Sequence, residues 1–324
     1  MTVKVLITGG LGYLGGRIAE AFAGEGGFDL TLATRRVPAQ RPAWTGKAKL
    51  VAIDLCEAAS LDAACAGADC IIHLAALNEI DSASDPTLAL EINGLGTLRM
   101  LEAACRNKVR RFAYFSTAHV YGAPLAGRVD ESTLPHPNHP YAITHRVAED
   151  FVLAAHRRDR IEGVVLRLSN GYGAPADSSV NRWSLVANDL CRQAACKKQL
   201  TLNSPGFQVR DFVTLTDIAR ATLHVIRLSK NALRDGLFNL GGENTLRVCD
   251  LAERIAARCT HVLGYTPSVN RPAPNGSEPL LTLDYRIDKL KATGFALSGD
   301  MDGELDATLR LCSRTFGSQT PVCR

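Results

Sequence analysis

Val3-Lys4-Val5-Leu6-Ile7-Thr8-Gly9-Gly10-Leu11-Gly12-Tyr13-Leu14-Gly15-Gly16 decides the fold. Val3, Val5, Leu6 and Ile7 make an apolar run of strand length. Beyond the glycines, Ile18, Ala19, Ala21 and Phe22 recur at helical spacing. A buried strand, a glycine turn and a helix start in that order build a site for a dinucleotide. Gly9 allows the tight turn, Gly12 leaves no side chain between backbone and pyrophosphate, and Gly15 lets the helix pack close to the strand. The helix start at Tyr13 and Leu14 offers unpaired N–H groups and a positive dipole end to the phosphates. The plain alternative is a glycine-rich structural turn.

Outward from this stretch, apolar runs of strand length recur at Leu30–Thr34, Lys49–Ile53, Cys70–Leu74, Phe112–Ser116 and Gly163–Leu168. Helical patterns lie between them, clearest at Leu61–Ala66 and Leu88–Asn107. Alternating strands and helices imply an α/β fold, a doubly wound parallel sheet with helices on both faces. After Gly173 the pattern shifts to longer helices and shorter strands. The expected division is a dinucleotide-binding domain over 1–173, its sheet completed by later segments at about 207–241. Residues 174–324 then form mainly a smaller, interleaved substrate lobe.

The 324 residues carry a formal net charge of +4 and no long basic run, which gives no reason to expect nucleic acid. No apolar run of spanning length appears, and the chain enters its first strand at once, so a cytoplasmic protein off the membrane is expected. The ten cysteines form no CxxC pair, and free buried thiols are expected rather than disulfides or a metal site.

The end of the second strand bears on the cofactor. A carboxylate there would hold the ribose diol of NAD; this chain has Thr34-Arg35-Arg36. Two guanidinium groups suit a 2′-phosphate and favour NADP, with NAD possible if the arginines are only solvated surface groups.

The Gly9-x-x-Gly12-x-x-Gly15 spacing resembles the extended short-chain dehydrogenase/reductase superfamily, and later motifs resemble its NAD-dependent epimerase/dehydratase members, with a Rossmann-type sheet. The resemblance implies that Asp54-Leu55 edges the adenine and that Leu74-Ala75-Ala76 runs beneath phosphates and ribose. Ser116 would also border the cofactor. Asn93, in Glu91-Ile92-Asn93-Gly94, matches an asparagine that supports backbone rather than reacting. Aligned on Val120-Tyr121-Gly122, Thr117 is the hydroxyl that holds the reacting oxygen, and Tyr141 is the acid/base.

Two departures follow. The family's lysine, four residues after the tyrosine, is His145 here. A histidine can reach the nicotinamide ribose but is mostly neutral at pH 7 and would activate Tyr141 less. The Asp-Glu pair that eliminating members carry after the threonine is Ala118-His119, which argues against a 4,6-dehydratase and leaves His119 as an additional group near the substrate.

On the substrate side, Arg167–Gly173 resembles the RxxNxYGP segment of nucleotide-sugar enzymes, in which Asn170 would contact sugar or phosphate. Gln208-Val209-Arg210-Asp211-Phe212 resembles the segment whose arginine clamps a diphosphate, a task suited to a guanidinium. An ion pair of Arg210 with Asp211 or Asp217 is the structural alternative. Arg271 is a looser match to a second phosphate-contacting arginine. The expectation is an NAD(P)-dependent enzyme, an isomerase or oxidoreductase, acting on a nucleotide-diphosphate sugar as epimerase or 4-keto-sugar reductase, and a homodimer by analogy. The alternatives are an NADPH-dependent reductase of a small aldehyde or ketone, and a cofactor-binding regulator with weakened catalysis.

Overall fold

A computed structural model describes residues 2–274, 276 and 281–317. Seven strands form one sheet: β1 (Val3–Thr8), β2 (Phe28–Thr34), β3 (Lys49–Ala52), β4 (Cys70–His73), β5 (Arg111–Thr117), β6 (Glu162–Leu168) and β7 (Leu237–Leu240). Their spatial order is 3-2-1-4-5-6-7, and every pair is parallel. The order reverses direction between β1 and β4, where a doubly wound sheet opens a crevice at its carboxyl edge. The expected strands agree with β1 to β6 to within two residues at each end.

Strand alternation sorts side chains onto two cores. Val5, Ile7, Leu32, Ala113 and Phe115 enter one core with helices α1 (Tyr13–Glu25) and, later in the chain, Leu215–Arg227. Leu6, Ala33, Phe112 and Tyr114 enter the other, covered by α2 (Thr97–Arg106) and α3 (Pro140–Arg157). A third core gathers α4 (Val186–Lys197), α5 (Val248–Leu263) and α6 (Met301–Phe316) into a separate helical layer. Val209–Thr214 does not join the main sheet. It pairs in parallel with Asn170–Tyr172 and antiparallel with Thr245–Arg247, forming a small sheet beside the crevice.

Leu88–Asn107 reads in sequence as one helix, but the structure divides it. Pro86–Ala89 is α-helical, Leu90–Gly96 widens into a π-helix, and α2 follows. The extra residue of a π turn rotates a side chain out of ordinary register. Here it sends Asn93 inward to complete burial. The nine described cysteines are free, and Cys323 lies outside the described residues. Among the described residues no group of three or more His, Cys, Asp or Glu could hold a metal ion, and no helix is long and apolar enough to cross a membrane.

Candidate functional site

The crevice is floored by the glycine turn. Gly9 takes φ +65°, a conformation glycine adopts without strain, and the position of its missing Cβ is 3.3 Å from the Leu74 and Ala75 backbone. A Cβ on Gly15 would collide with the Gly9 carbonyl oxygen and lie 2.8 Å from Gly10 Cα. A Cβ on Gly12 would sit 3.0 Å from the Gly9 carbonyl oxygen, a tight contact, and otherwise face open space. Gly12 is also the N-cap of α1, and no side chain caps that helix end. The turn therefore leaves room and free donors where an anion would sit. The Tyr13 side chain faces elsewhere. Its hydroxyl donates to the Gly173 carbonyl (3.0 Å) and accepts from Asn188 on α4 (2.9 Å), so only its backbone remains toward the turn.

A buried polar chain runs beneath this floor. Thr8 Oγ1 accepts from the Leu74 and Ala75 amides, so its own hydrogen is free for His73 Nδ1 (2.8 Å). His73 Nε2–H then donates to Thr97 Oγ1 (3.1 Å), whose hydroxyl donates to the Asn93 carbonyl. Asn93 accepts from the Leu77 amide and donates to Thr144 Oγ1, which donates to the Tyr141 carbonyl. Asn93 thus braces the loop after β4 against the helix that carries Tyr141. At the rim, Leu74 and Ala75 are half-buried and Ala76 is exposed. Thr34 is half-buried, and the exposed Arg35 and Arg36 bond to no other described residue. Leu55 is buried, whereas Asp54 is exposed and accepts from the Cys56 amide.

Thr117 ends β5, and its Oγ1 accepts from the His119 amide (3.1 Å), capping the turn Ala118–Tyr121. Tyr141 sits in the first turn of α3, started by Pro140 at N1 and by His139, whose ring accepts the Tyr141 amide. His145 follows one turn later, with ring centroids 4.3 Å apart. Burial pushes the Tyr141 phenol well above its usual range. Glu79 pushes the same way, and Arg182, paired with Glu79 at 3.6 Å, opposes it. Burial pushes His145 down to about 3, and the neighbouring His119 adds to this, so the imidazole is neutral. Its Nδ1 lies 2.7 Å from the Tyr114 hydroxyl, and Nε2 has no hydrogen-bond partner among the described residues. Ser116 Oγ is likewise buried and unpartnered. His119 is lowered mainly by burial, with Arg210 and His139 pushing the same way and Glu79 opposing.

Arg210 is exposed on the central strand of the small sheet, and its guanidinium forms no ion pair or hydrogen bond with any described residue. Burial lowers its pKa, because the cleft around it is crowded although the head remains accessible. The ion-pair alternative fails. Asp211 is engaged by Ser169 and the Gly242 and Asn244 amides, and Asp217 by Arg220 and Ser298. Asn170 donates to the Asp211 carbonyl (3.0 Å), bracing the strand that carries Arg210. Arg271 donates to the Pro205 carbonyl and lies over Phe207, and it bonds to none of the described residues around Tyr141. Arg167 forms a fully buried pair with Glu149 (2.9 and 2.7 Å) that ties β6 to α3. The sequence reading missed Tyr114, Glu79 and Arg182. Tyr114 is an unmarked strand residue, Glu79 starts the short helix Glu79–Ser84, and Arg182 lies in a loop far from it in sequence.

A parallel sheet with a glycine turn at its crossover and a helical lobe across the crevice defines a two-lobed dinucleotide-binding α/β protein. The chain belongs to the NAD dependent epimerase/dehydratase family, whose model matches residues 5–241. It is 29% identical over 269 residues to dTDP-glucose 4,6-dehydratase of Streptomyces niveus, covering 79% of this chain and 78% of that one. It is 30% identical over 279 residues to an uncharacterized UDP-glucose epimerase of Bacillus subtilis, covering 79% and 83%. Among solved structures, UDP-N-acetylglucosamine 4-epimerase of Methanobrevibacter ruminantium superimposes with a TM-score of 0.78 at 21% identity, over 96% of this chain and 98% of that one. The Thermus thermophilus UDP-glucose 4-epimerase complex with NAD gives 0.78 at 22%, over 96% and 99%. These two share the fold.

Proposed function

We propose that this chain binds a nicotinamide dinucleotide and a nucleotide-diphosphate sugar, and interconverts hydroxyl and carbonyl at one sugar carbon as an epimerase. The observation that carries the reading is the exposed Arg210 guanidinium, which bonds to no other described residue and lies near enough to His119 to push its pKa down. A free guanidinium beside a proton-transfer group is what a diphosphate-linked substrate requires. The residues present fit the dinucleotide: Gly12 leaves space at an uncapped helix start, and Ser116 Oγ and His145 Nε2 are buried without partners.

Gly9, Gly12 and Gly15, with the backbone of Tyr13 and Leu14, would cradle the pyrophosphate. Asp54 and Leu55 would edge the adenine, and Leu74 to Ala76 would run beneath the ribose. When bound, the nicotinamide supplies hydride acceptance and return at the sugar carbon. Thr117 holds the reacting oxygen, Tyr141 takes its proton and gives it back, and His145 holds the nicotinamide ribose. Arg210 and Asn170 hold the sugar nucleotide, and Arg271 serves as an outer phosphate contact. Ala118-His119 lacks the carboxylates that elimination needs, so epimerisation is favoured over dehydration.

A second reading, a 4-keto-sugar reductase using NADPH, is favoured by the free Arg35 and Arg36 and by a Tyr141 phenol held in its proton-donating form. Ile80, Leu88, Leu90, Leu95, Ile143 and Phe151 leave large apolar side chains exposed on α3 and the segment before α2, a face suited to a homodimer. Release of cofactor by heat, followed by its absorbance spectrum, tests the choice. Oxidised cofactor retained in nearly every subunit supports the epimerase, and an empty protein that consumes NADPH with a keto-sugar nucleotide supports the reductase.

A further inference from the structure

Where the family's pattern carries a charged lysine, this chain has an imidazole already engaged by a second phenol. Tyr114 shares a core with Phe112 on the α3 side of the sheet, while Ala113 and Phe115 enter the opposite core. That alternation brings its hydroxyl to His145 Nδ1 at 2.7 Å, the rings stacked with centroids 5.7 Å apart. Tyr114 is 2% exposed and His145 3%, so water does not compete for the bond. The Phe115 carbonyl lies close enough to favour a proton on the ring, and Nε2 makes no hydrogen bond with a described residue.

A neutral imidazole carries one N–H. Both groups are kept neutral by burial, and of a neutral phenol and a neutral imidazole the phenol is the stronger donor. The Thr97 hydroxyl beside Tyr114 already donates to the Asn93 carbonyl and accepts from His73, so the phenol gives its hydrogen to Nδ1, which places the ring proton on Nε2. A buried N–H without an acceptor is uncommon in folded proteins and marks the place of something not yet bound. We propose that Tyr114 is a positioning residue acting through His145: its hydroxyl locks the imidazole as the Nε2–H tautomer and presents that N–H to the ribose of the dinucleotide. A neutral tyrosine–histidine pair then does by directed hydrogen bonding what the lysine does by charge. This rests on the dinucleotide reading and not on the identity of the sugar.

The test has two parts. In the 15N-histidine NMR spectrum of the free protein, His145 shows the neutral Nε2–H tautomer from pH 5 to 8, and Tyr114→Phe loses that fixed state. By titration calorimetry, Tyr114→Phe binds NAD and NADPH about 5- to 10-fold more weakly, the effect of one lost hydrogen bond. ADP, which lacks the nicotinamide ribose, binds both proteins equally. In a His145→Lys background Tyr114→Phe has no further effect, because the residue through which it acts has been replaced. An Nδ1–H tautomer, equal dinucleotide affinity in Tyr114→Phe, or the same loss in the lysine background would each overturn the proposal. If the wild type binds no dinucleotide, the functional reading above falls, while the tautomer still decides whether Tyr114 fixes His145.

Discussion

Arg210→Ala separates the sugar-nucleotide reading from its rivals. The side chain bonds to no other described residue, so its removal leaves no orphaned partner and changes stability by no more than about 0.5 kcal/mol. If it forks onto a diphosphate it makes two charge-assisted hydrogen bonds, each contributing roughly 1.5–3 kcal/mol when desolvated. Arg210 is exposed before substrate arrives, so screening reduces the pair to about 2–3 kcal/mol in total. That is a roughly 30- to 150-fold loss of affinity. The assay is calorimetric titration of uridine-, thymidine- and guanosine-diphosphate sugars into wild type and variant, with KM measured on the sugar that turns over. Arg210→Lys, which keeps the charge but loses the fork, should fall between the two. Dinucleotide affinity should not move. Equal sugar-nucleotide affinity in Arg210→Ala would refute the assignment and favour a reductase of small aldehydes or ketones, whose substrates carry no diphosphate.

Two glycines of the turn should separate in their effects: Gly12→Ala, whose methyl meets the Gly9 carbonyl oxygen at 3.0 Å, costs little stability and loses dinucleotide binding, whereas Gly15→Ala, which drives a methyl into the Gly9 carbonyl, lowers stability by about 1–3 kcal/mol in a denaturant titration. Arg35→Ala combined with Arg36→Ala should weaken NADPH at least tenfold while leaving NADH within about twofold, read by fluorescence titration, if these arginines meet a 2′-phosphate. Acid should destabilise the protein. His73 and His145 are both depressed to about 3 from an ordinary 6.5, so below pH 6.5 the unfolded chain binds protons the native state refuses. Their neutral burial is free of penalty above pH 6.5 and costs each about 2 kcal/mol between pH 7 and 5. In His145→Gln the slope of stability against pH between 6.5 and 5 should be shallower by nearly one proton, and an unchanged slope would mean that the ring is not kept neutral.

Much of the fold was legible because parallel strands read as short apolar runs, and β1 to β6 are such runs, although β3 at the sheet edge is only half-buried. The division of Leu88–Asn107 was not legible, since apolar periodicity does not register one inserted residue. The glycines at 94 and 96, directly after a polar Asn93, were the available hint. Val209–Thr214 has a strand's pattern, but nothing in it tells which sheet it joins. At the site, the resemblance to the family's motifs marked Thr117, Tyr141, His145 and Arg210, and it marked the missing lysine as a question. It could not reveal that Tyr114, 31 positions earlier, holds the replacement, because the link depends on which face of β5 meets α3. Nor could it pair Glu79 with Arg182, which tertiary folding alone brings together across the crevice.

The most direct measurement is turnover of a sugar-nucleotide panel, followed by proton NMR at the sugar carbons, with wild type beside Tyr141→Phe and with bound dinucleotide quantified in both. The account predicts conversion of at least one diphosphate sugar by the wild type, and a loss of at least a hundredfold in Tyr141→Phe with cofactor occupancy retained. Undiminished turnover in Tyr141→Phe, or a wild type that takes up no dinucleotide, would contradict it.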